Sequence, residues 1–283
     1  MKTWWGSRVG STALLGAAGV VAFVACGGST EAVPDASAAS DATADAPAAI
    51  ADASLTLEAS PLDARPDSAA KGFCATRSPG PRFCDDFDDG DLGDDWAVQT
   101  VVNGEPILDT SSATSVPASF AIETAPLSTN ESAHVHLRAT TDGAPTGHVV
   151  LAFEMMIATA SFTKGTIAVA TLDVSPNHFF TLYLRDGDPD APGPTLEETD
   201  GAAATTRHVL SKLPPAGVWT RATIDIDIAG ATASVLWDDD KVLDEAPITA
   251  APASDPTIRV GAVYVFGPAD PFEARFDDVT LDF

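Results

Sequence analysis

Basic residues are scarce in this 283-residue chain: 15 Lys and Arg stand against 41 Asp and Glu, a formal net charge of −26. Phosphate recognition needs a basic stripe, so a nucleic-acid partner is excluded. Tyrosine occurs 2 times and cysteine 3 times. No G-x-S-x-G elbow, P-loop or H-E-x-x-H helix is present, which removes the serine-hydrolase, nucleotide and zincin routes that those motifs mark. No internal repeat is evident. What remains is ordinary globular material, with 45% hydrophobic and 20% charged residues.

The N-terminus reads as an export signal. Lys2 and Arg8 form a positive n-region, and Val9 to Ala25 is an uncharged run of 17 residues, long for a signal core and short for a membrane span. The segment Phe23-Val24-Ala25-Cys26-Gly27 resembles the lipobox of bacterial lipoproteins, with Phe23 where Leu is usual. The resemblance implies that residues 1–26 are a signal peptide and that Cys26 is lipidated. Two acyl chains supply the double anchor that stable attachment requires. Gly27 rather than Asp after the cysteine implies passage to the outer membrane or cell surface. A plain secretory signal or an uncleaved anchor is the alternative.

Residues 27–71 are a different material. Ala, Ser, Asp and Pro make up 31 of these 45 residues, none is aromatic, and the segment carries a charge of −6. So little apolar surface cannot offset the entropy of ordering the chain. Pro34, Pro47, Pro61 and Pro66 oppose a helix. The segment reads as a disordered tether with an r.m.s. span on the order of 35–40 Å.

Residues 72–283 then form one domain with a charge of −22. Cys74 and Cys84 flank the turn-forming Pro79-Gly80-Pro81. In an exported protein this spacing predicts a disulfide. A pair of zinc ligands is the competitor, but no second close Cys/His pair accompanies them. Thr220 to Ile228 alternates strictly, with Ala222, Ile224, Ile226 and Ile228 on one face. Ala231–Trp237 returns as its hairpin partner. Ala133–Ala139, Gly147–Ile157, Thr166–Val174, His178–Asp186, Arg207–Leu213, Thr257–Phe266 and Phe272–Phe283 are also read as strands. In the last of these the phase slips at Asp277-Asp278, the signature of a β-bulge. So many strands predict a sandwich or barrel.

Phe83-Cys84-Asp85-Asp86-Phe87-Asp88-Asp89-Gly90, then Gly217-Val218-Trp219, the Val235–Leu243 hairpin and Phe276-Asp277-Asp278-Val279-Thr280-Leu281 recur in that order. The arrangement resembles the concanavalin A-like lectin/glucanase superfamily over residues 82–283. It implies an all-β, two-sheet antiparallel jelly-roll sandwich whose first and last strands pair, bringing Asp85 and Asp86 near Asp277. Glucanases of this fold hold structural Ca²⁺ with an Asp before the last strand and oxygens of the first. Asp277 matches that Asp by its context, and Asp86 is its expected partner. Hard oxygen ligands suit this ion. An exposed acidic loop without metal is the other reading.

Laminarinase-type members of the superfamily carry E-x-D-x-x-E on one strand, and retaining hydrolysis needs two carboxyls about 5–5.5 Å apart. Glu198-Thr199-Asp200 begins the pattern but meets Ala203, and it lies in a Gly/Pro-flanked stretch rather than a firm strand. Glu154 is followed by Met155 and Met156. A glycosidase is therefore disfavoured. His134 and His136 share a strand face at metal-ligand spacing, yet no third ligand is identifiable.

Glu154, Tyr183, Arg185 and Arg221 alternate with apolar neighbours and point outward. On one shared sheet they would form a polar floor for a sugar. Trp219 and Trp237 read as core anchors. The expectation is a surface-anchored, non-catalytic glycan-binding lipoprotein. A structural or adhesive domain with a protein partner and an atypical glycan-cleaving enzyme are the alternatives. An exposed aromatic row favours the first, a bare acidic face the second, and paired buried carboxyls with raised pKa the third.

Overall fold

The computed structural model describes residues 72–92, 96–158, 164–185, 193–250 and 254–283. The signal segment with Cys26 and the 27–71 tether lie outside them. The described chain opens with a short helix, α1 (Phe73–Thr76), then β1 (Phe83–Asp85), β2 (Ala97–Val102), β3 (Gly104–Asp109), β4 (Ser119–Thr124) and β5 (Ser132–Thr140). It continues through β6 (His148–Ile157), β7 (Thr166–Ser175), β8 (His178–Arg185), β9 (Thr195–Thr199) and β10 (Thr205–Val209). The remaining strands are β11 (Thr220–Asp227), β12 (Thr232–Trp237), β13 (Asp240–Pro247), β14 (Thr257–Phe266) and β15 (Glu273–Asp282).

One sheet runs β13-β12-β11-β6-β15-β4-β3, with β1 also paired to β15; the other runs β10-β9-β8-β7-β14-β5-β2. Neighbours are antiparallel, and the chain crosses repeatedly between the sheets, so the domain is a two-sheet jelly-roll sandwich. The expected pairing of first and last strands is present, with Asp85 opposite Val279.

Alternation builds the core. On β11, Thr220, Ala222, Ile224 and Ile226 are buried, while Arg221, Thr223, Asp225 and Asp227 are only partly so. On β6, Val149, Leu151, Phe153, Met155 and Ile157 point inward to the same layer. Phe276 on β15 joins Phe120 and Phe153 at ring separations of 6.0 and 5.9 Å. Each such buried side chain contributes about 1.5–3 kcal/mol. Trp237 is a core anchor, its Nε1–H donating to Lys212 O, but Trp219 is only partly buried.

β4 and β9 are strands that alternation does not reveal. β4 is buried on both faces, so its sequence never alternates. β9 turns Glu198 into the core, which breaks the apolar period; the stretch around Glu198 is a strand rather than the loop expected from its flanks.

Of the several register shifts, two bear directly on the candidate sites. The β15–β6 register shifts between Asp277 and Thr280, and Asp278 takes φ 50°, as the phase slip predicts. A second shift lies on β14 between Ala262 and Val265. Gly261 just before it has φ +128°, and an added Cβ would sit 2.5 Å from Val135 O. Gly261→Ala combines a disfavoured φ with a backbone clash, and is expected to cost about 3 kcal/mol or more, measured as a lower urea midpoint at unchanged slope.

Candidate functional site

The four residues expected to share one floor do not share a sheet. Glu154 on β6 and Arg221 on β11 are register partners on the first sheet. Tyr183 and Arg185 belong to β8 in the second sheet. Each is flanked by inward apolar residues, so the two pairs occupy opposite outer faces of the sandwich. Alternation fixes inward or outward, but it is blind to which sheet a strand joins.

The Glu154 and Arg221 side chains are engaged in holding the fold together. Arg221 Nη1 lies 3.3 Å from Glu154 Oε1, and its guanidinium sits 5.7 Å from the Phe73 ring centroid. Burial pushes the Glu154 carboxyl up, with Arg221 pulling it down. Phe73 belongs to α1, which is stapled to β1 by the Cys74–Cys84 disulfide at a Cα separation of 5.7 Å. A bridge over so short a loop contributes about 2–3 kcal/mol. Cys74 N–H also donates to Asp86 Oδ2 at 2.8 Å.

The β15 bulge aims Asp277 into the connection between β3 and β4. Its Oδ2 accepts from Thr114 N, Thr114 Oγ1 and Ser115 N, at 2.7, 2.9 and 3.0 Å. Its Oδ1 accepts from Ser115 Oγ at 3.2 Å and from Asp278 N at 2.9 Å. Asp277 is 0% exposed, and its carboxyl is pushed up to about 6 by burial and then by Asp278, against the Ser115 and Thr114 donors. These five donors occupy the lone pairs a cation would need. The structure therefore makes Asp277 an anchor for residues 114–115 and not a free metal ligand.

Asp86 is also partly used, whereas Asp88 Oδ1 and Asp278 Oδ1 are buried without a hydrogen-bond partner. Asp88 is pushed up to about 6 by burial first and then by Asp86. Asp278 is raised mainly by burial, with Asp86 adding to the rise. Among the described residues no three His, Cys, Asp or Glu side chains form a ready metal-ligand set. A hard cation would fit the orphaned oxygens of Asp88 and Asp278 better than the Asp86–Asp277 pair. Paired buried carboxyls with raised pKa do exist at Asp277-Asp278.

The second sheet presents a different surface. A groove of about 400 Å³ crosses β5, β14, β7 and β8, lined by His136, Asp173, Phe179, Tyr183, Arg259 and Tyr264 among others. Both tyrosines of the chain are in it. They share Ala168 on β7 as register partner, which places their backbones two strands, about 10 Å, apart. The β14 bulge contains Tyr264, whose ring stacks against Phe266 at 5.9 Å and lies 5.3 Å from His134. His134 Nδ1 donates to Val263 O at 2.8 Å, a carbonyl being able only to accept. Arg259 Nη1 pairs with Asp173 Oδ1 at 3.0 Å. His136 is 8% exposed; burial first, then Arg259, His134 and Arg138, push its imidazole down to about 4. It is neutral at pH 7. Tyr183 is thus the one expected site residue in the groove, while Arg185 donates from Nε to Gly165 O at 2.8 Å. His136 was legible as an outward polar residue beside His134; Arg259, Asp173 and Tyr264 became neighbours only through register.

A further polar cluster sits between the sheets at the β8–β9–β10 edge. His178 Nε2 lies 2.8 Å from Glu198 Oε1, which also accepts from Thr249 N at 2.8 Å. His208 Nε2 is 4.0 Å from Glu198 Oε2. The cluster ties three strands to the segment after β13.

No protein-family model matches the chain, and no curated protein matches it. Solved structures do. One, described as "Cellulose induced protein, Cip1", aligns at a TM-score of 0.51 and 15% identity, covering 70% of this chain and 96% of its own. An endo-β-1,4-glucuronan lyase from the fungus Trichoderma reesei aligns at a TM-score of 0.52 and 12% identity, covering 71% and 95%. At such identities the likeness is one of fold.

Proposed function

We propose that the domain is a glycan-binding module whose site is the groove on the outer face of the second sheet. The observation that carries this reading is the convergence of both tyrosines with His136 and the Arg259–Asp173 pair. Flat aromatic rings stack on sugar faces, and planar, oriented polar groups meet hydroxyls. The two structural neighbours, one named for cellulose induction and the other a glucuronan lyase, agree with a carbohydrate role. The order of the Phe83–Gly90, Trp219 and Phe276–Leu281 segments supports placing the fold among concanavalin A-like domains. The test is a binding screen of the full chain against a polysaccharide panel, assaying the soluble fraction for released sugar. Selective retention is the expected result; no binding across a broad panel rejects the reading.

A second reading, cleavage, is favoured by one feature of the same groove. His136 is an imidazole held neutral at pH 7 beside two phenols, a set of groups able to move a proton. Released sugar in the screen would identify it.

The proposal includes the membrane tether, with Cys26 as the lipidated residue and 27–71 as the spacer. Cys26→Ser is expected to move the protein from the membrane fraction to the soluble one, and retention in the membrane would reject it. It also includes a structural Ca²⁺, held by Asp88 and Asp278 in place of Asp86 and Asp277.

A further inference from the structure

Among the described residues, one end of the groove carries an unanswered positive charge, and the argument from it rests on the glycan-binding reading. Arg138 on β5 and Arg259 on β14 are register partners. Like charges directly opposite on adjacent strands destabilise a sheet. Among the described residues one carboxylate answers them: Asp173, which pairs with Arg259. Two arginines and one aspartate leave one positive charge, on a chain whose net charge is −26. Arg138 Nε is buried without a partner, and so is Nδ1 of His136, a groove-lining residue only 8% exposed. Each such orphaned group is a buried polar atom whose desolvation nothing repays. A hydroxyl would satisfy the imidazole but would not cancel the charge. A charged oxygen pair cancels it, and the guanidinium fork matches its geometry; the imidazole nitrogen, an acceptor, is left to an adjacent sugar hydroxyl.

We propose that this corner is an anion subsite, which takes the carboxylate or sulfate substituent of an acidic polysaccharide against Arg259 and Arg138, with His136 as a neutral hydrogen-bonding neighbour. Tyr183 and Tyr264 then carry the sugar rings. Elsewhere the acidic surface repels a polyanion, so the subsite also selects where such a chain docks.

The test measures binding of the full chain to polygalacturonate, to the same polymer carboxyl-reduced to a neutral galactan, and to dextran sulfate. At least one of the two charged polymers is expected to bind tenfold or more tightly than the neutral galactan, and which one does identifies the substituent. Arg138→Gln is expected to bring that ratio within twofold. Arg138→Lys, which keeps the charge and the stem but not the fork, should give an intermediate ratio. Arg207→Gln, at the β9–β10 edge of the same sheet where Arg207 pairs with Glu197, should leave it intact. Equal affinity for charged and neutral polymers, or a ratio that survives Arg138→Gln, overturns the subsite while the groove reading stands. Displacement by millimolar inorganic phosphate as effective as by polymer overturns it in favour of a free-anion site. Failure of all three polymers to bind rejects the groove reading and the subsite with it.

Discussion

Replacing both tyrosines, Tyr183→Ala with Tyr264→Ala, is expected to weaken binding of the selected polysaccharide by on the order of 100-fold, with little change in melting temperature. Buried aromatic anchors at recognition surfaces contribute about 1–2 kcal/mol each, and every 1.4 kcal/mol is tenfold in affinity. Both side chains are partly exposed on the outer face, so their loss leaves the core as it is. The opposite face supplies the control. Arg221→Ala should leave the affinity unchanged and lower the melting temperature, because Arg221 joins Glu154 and the Phe73 ring beneath the disulfide-stapled segment. Titration calorimetry decides between the faces. If the double tyrosine variant binds within twofold of the parent while Arg221→Ala does not bind, the glycan site is on the first sheet and the groove reading fails.

The contrast between those faces marks how far the sequence could be read. Strict alternation at Thr220–Ile228 located β11 and assigned Arg221 an outward direction, because one buried face imposes a period of two. The slip at Asp277-Asp278 announced a bulge for the same reason. An equivalent slip was present in Thr257–Phe266, where Ile258, Val260 and Ala262 share one phase and Val265 another, and it is this second bulge that contains Tyr264. β4 escaped because it is buried on both faces, and β9 because Glu198 faces inward, paired with His178. Sheet membership was not legible at all. It depends on which strands pair across long sequence separations, as when Arg138 meets Arg259, and no local pattern encodes that choice. A floor assembled from Glu154, Tyr183, Arg185 and Arg221 therefore joined residues that the fold keeps on opposite sides.

The same reasoning reassigns the acidic cluster, and two isosteric substitutions there should move stability in opposite directions. Asp277→Asn exchanges a carboxylate oxygen for an amide donor where Thr114, Ser115 and the Asp278 N–H already donate. At least one donor is then left facing another, an unsatisfied contact that costs about 3 kcal/mol. For a domain of this size that is a fall of about 6–12 °C in melting temperature, with or without calcium. Asp88→Asn does the reverse. The Asp88 carboxyl is raised to about 6 by burial and by Asp86, so above that pH the folded state holds a charge it disfavours. Folded Asp88 binds its proton more tightly than the unfolded chain does. Its contribution therefore rises as pH falls from about 7 towards 4, and the penalty is complete at pH 7 and above. Removing the charge should raise the melting temperature at pH 7.5 in chelator by about 2–4 °C, after allowance for partial solvent screening, and change little at pH 4. Calcium supplies the discriminating arm. If Asp88 and Asp278 hold the ion, the parent protein gains stability in millimolar calcium at pH 7.5 and Asp88→Asn does not. A parent melt insensitive to calcium rejects the metal site, and the orphaned oxygens of Asp88 and Asp278 are then relieved by protonation alone.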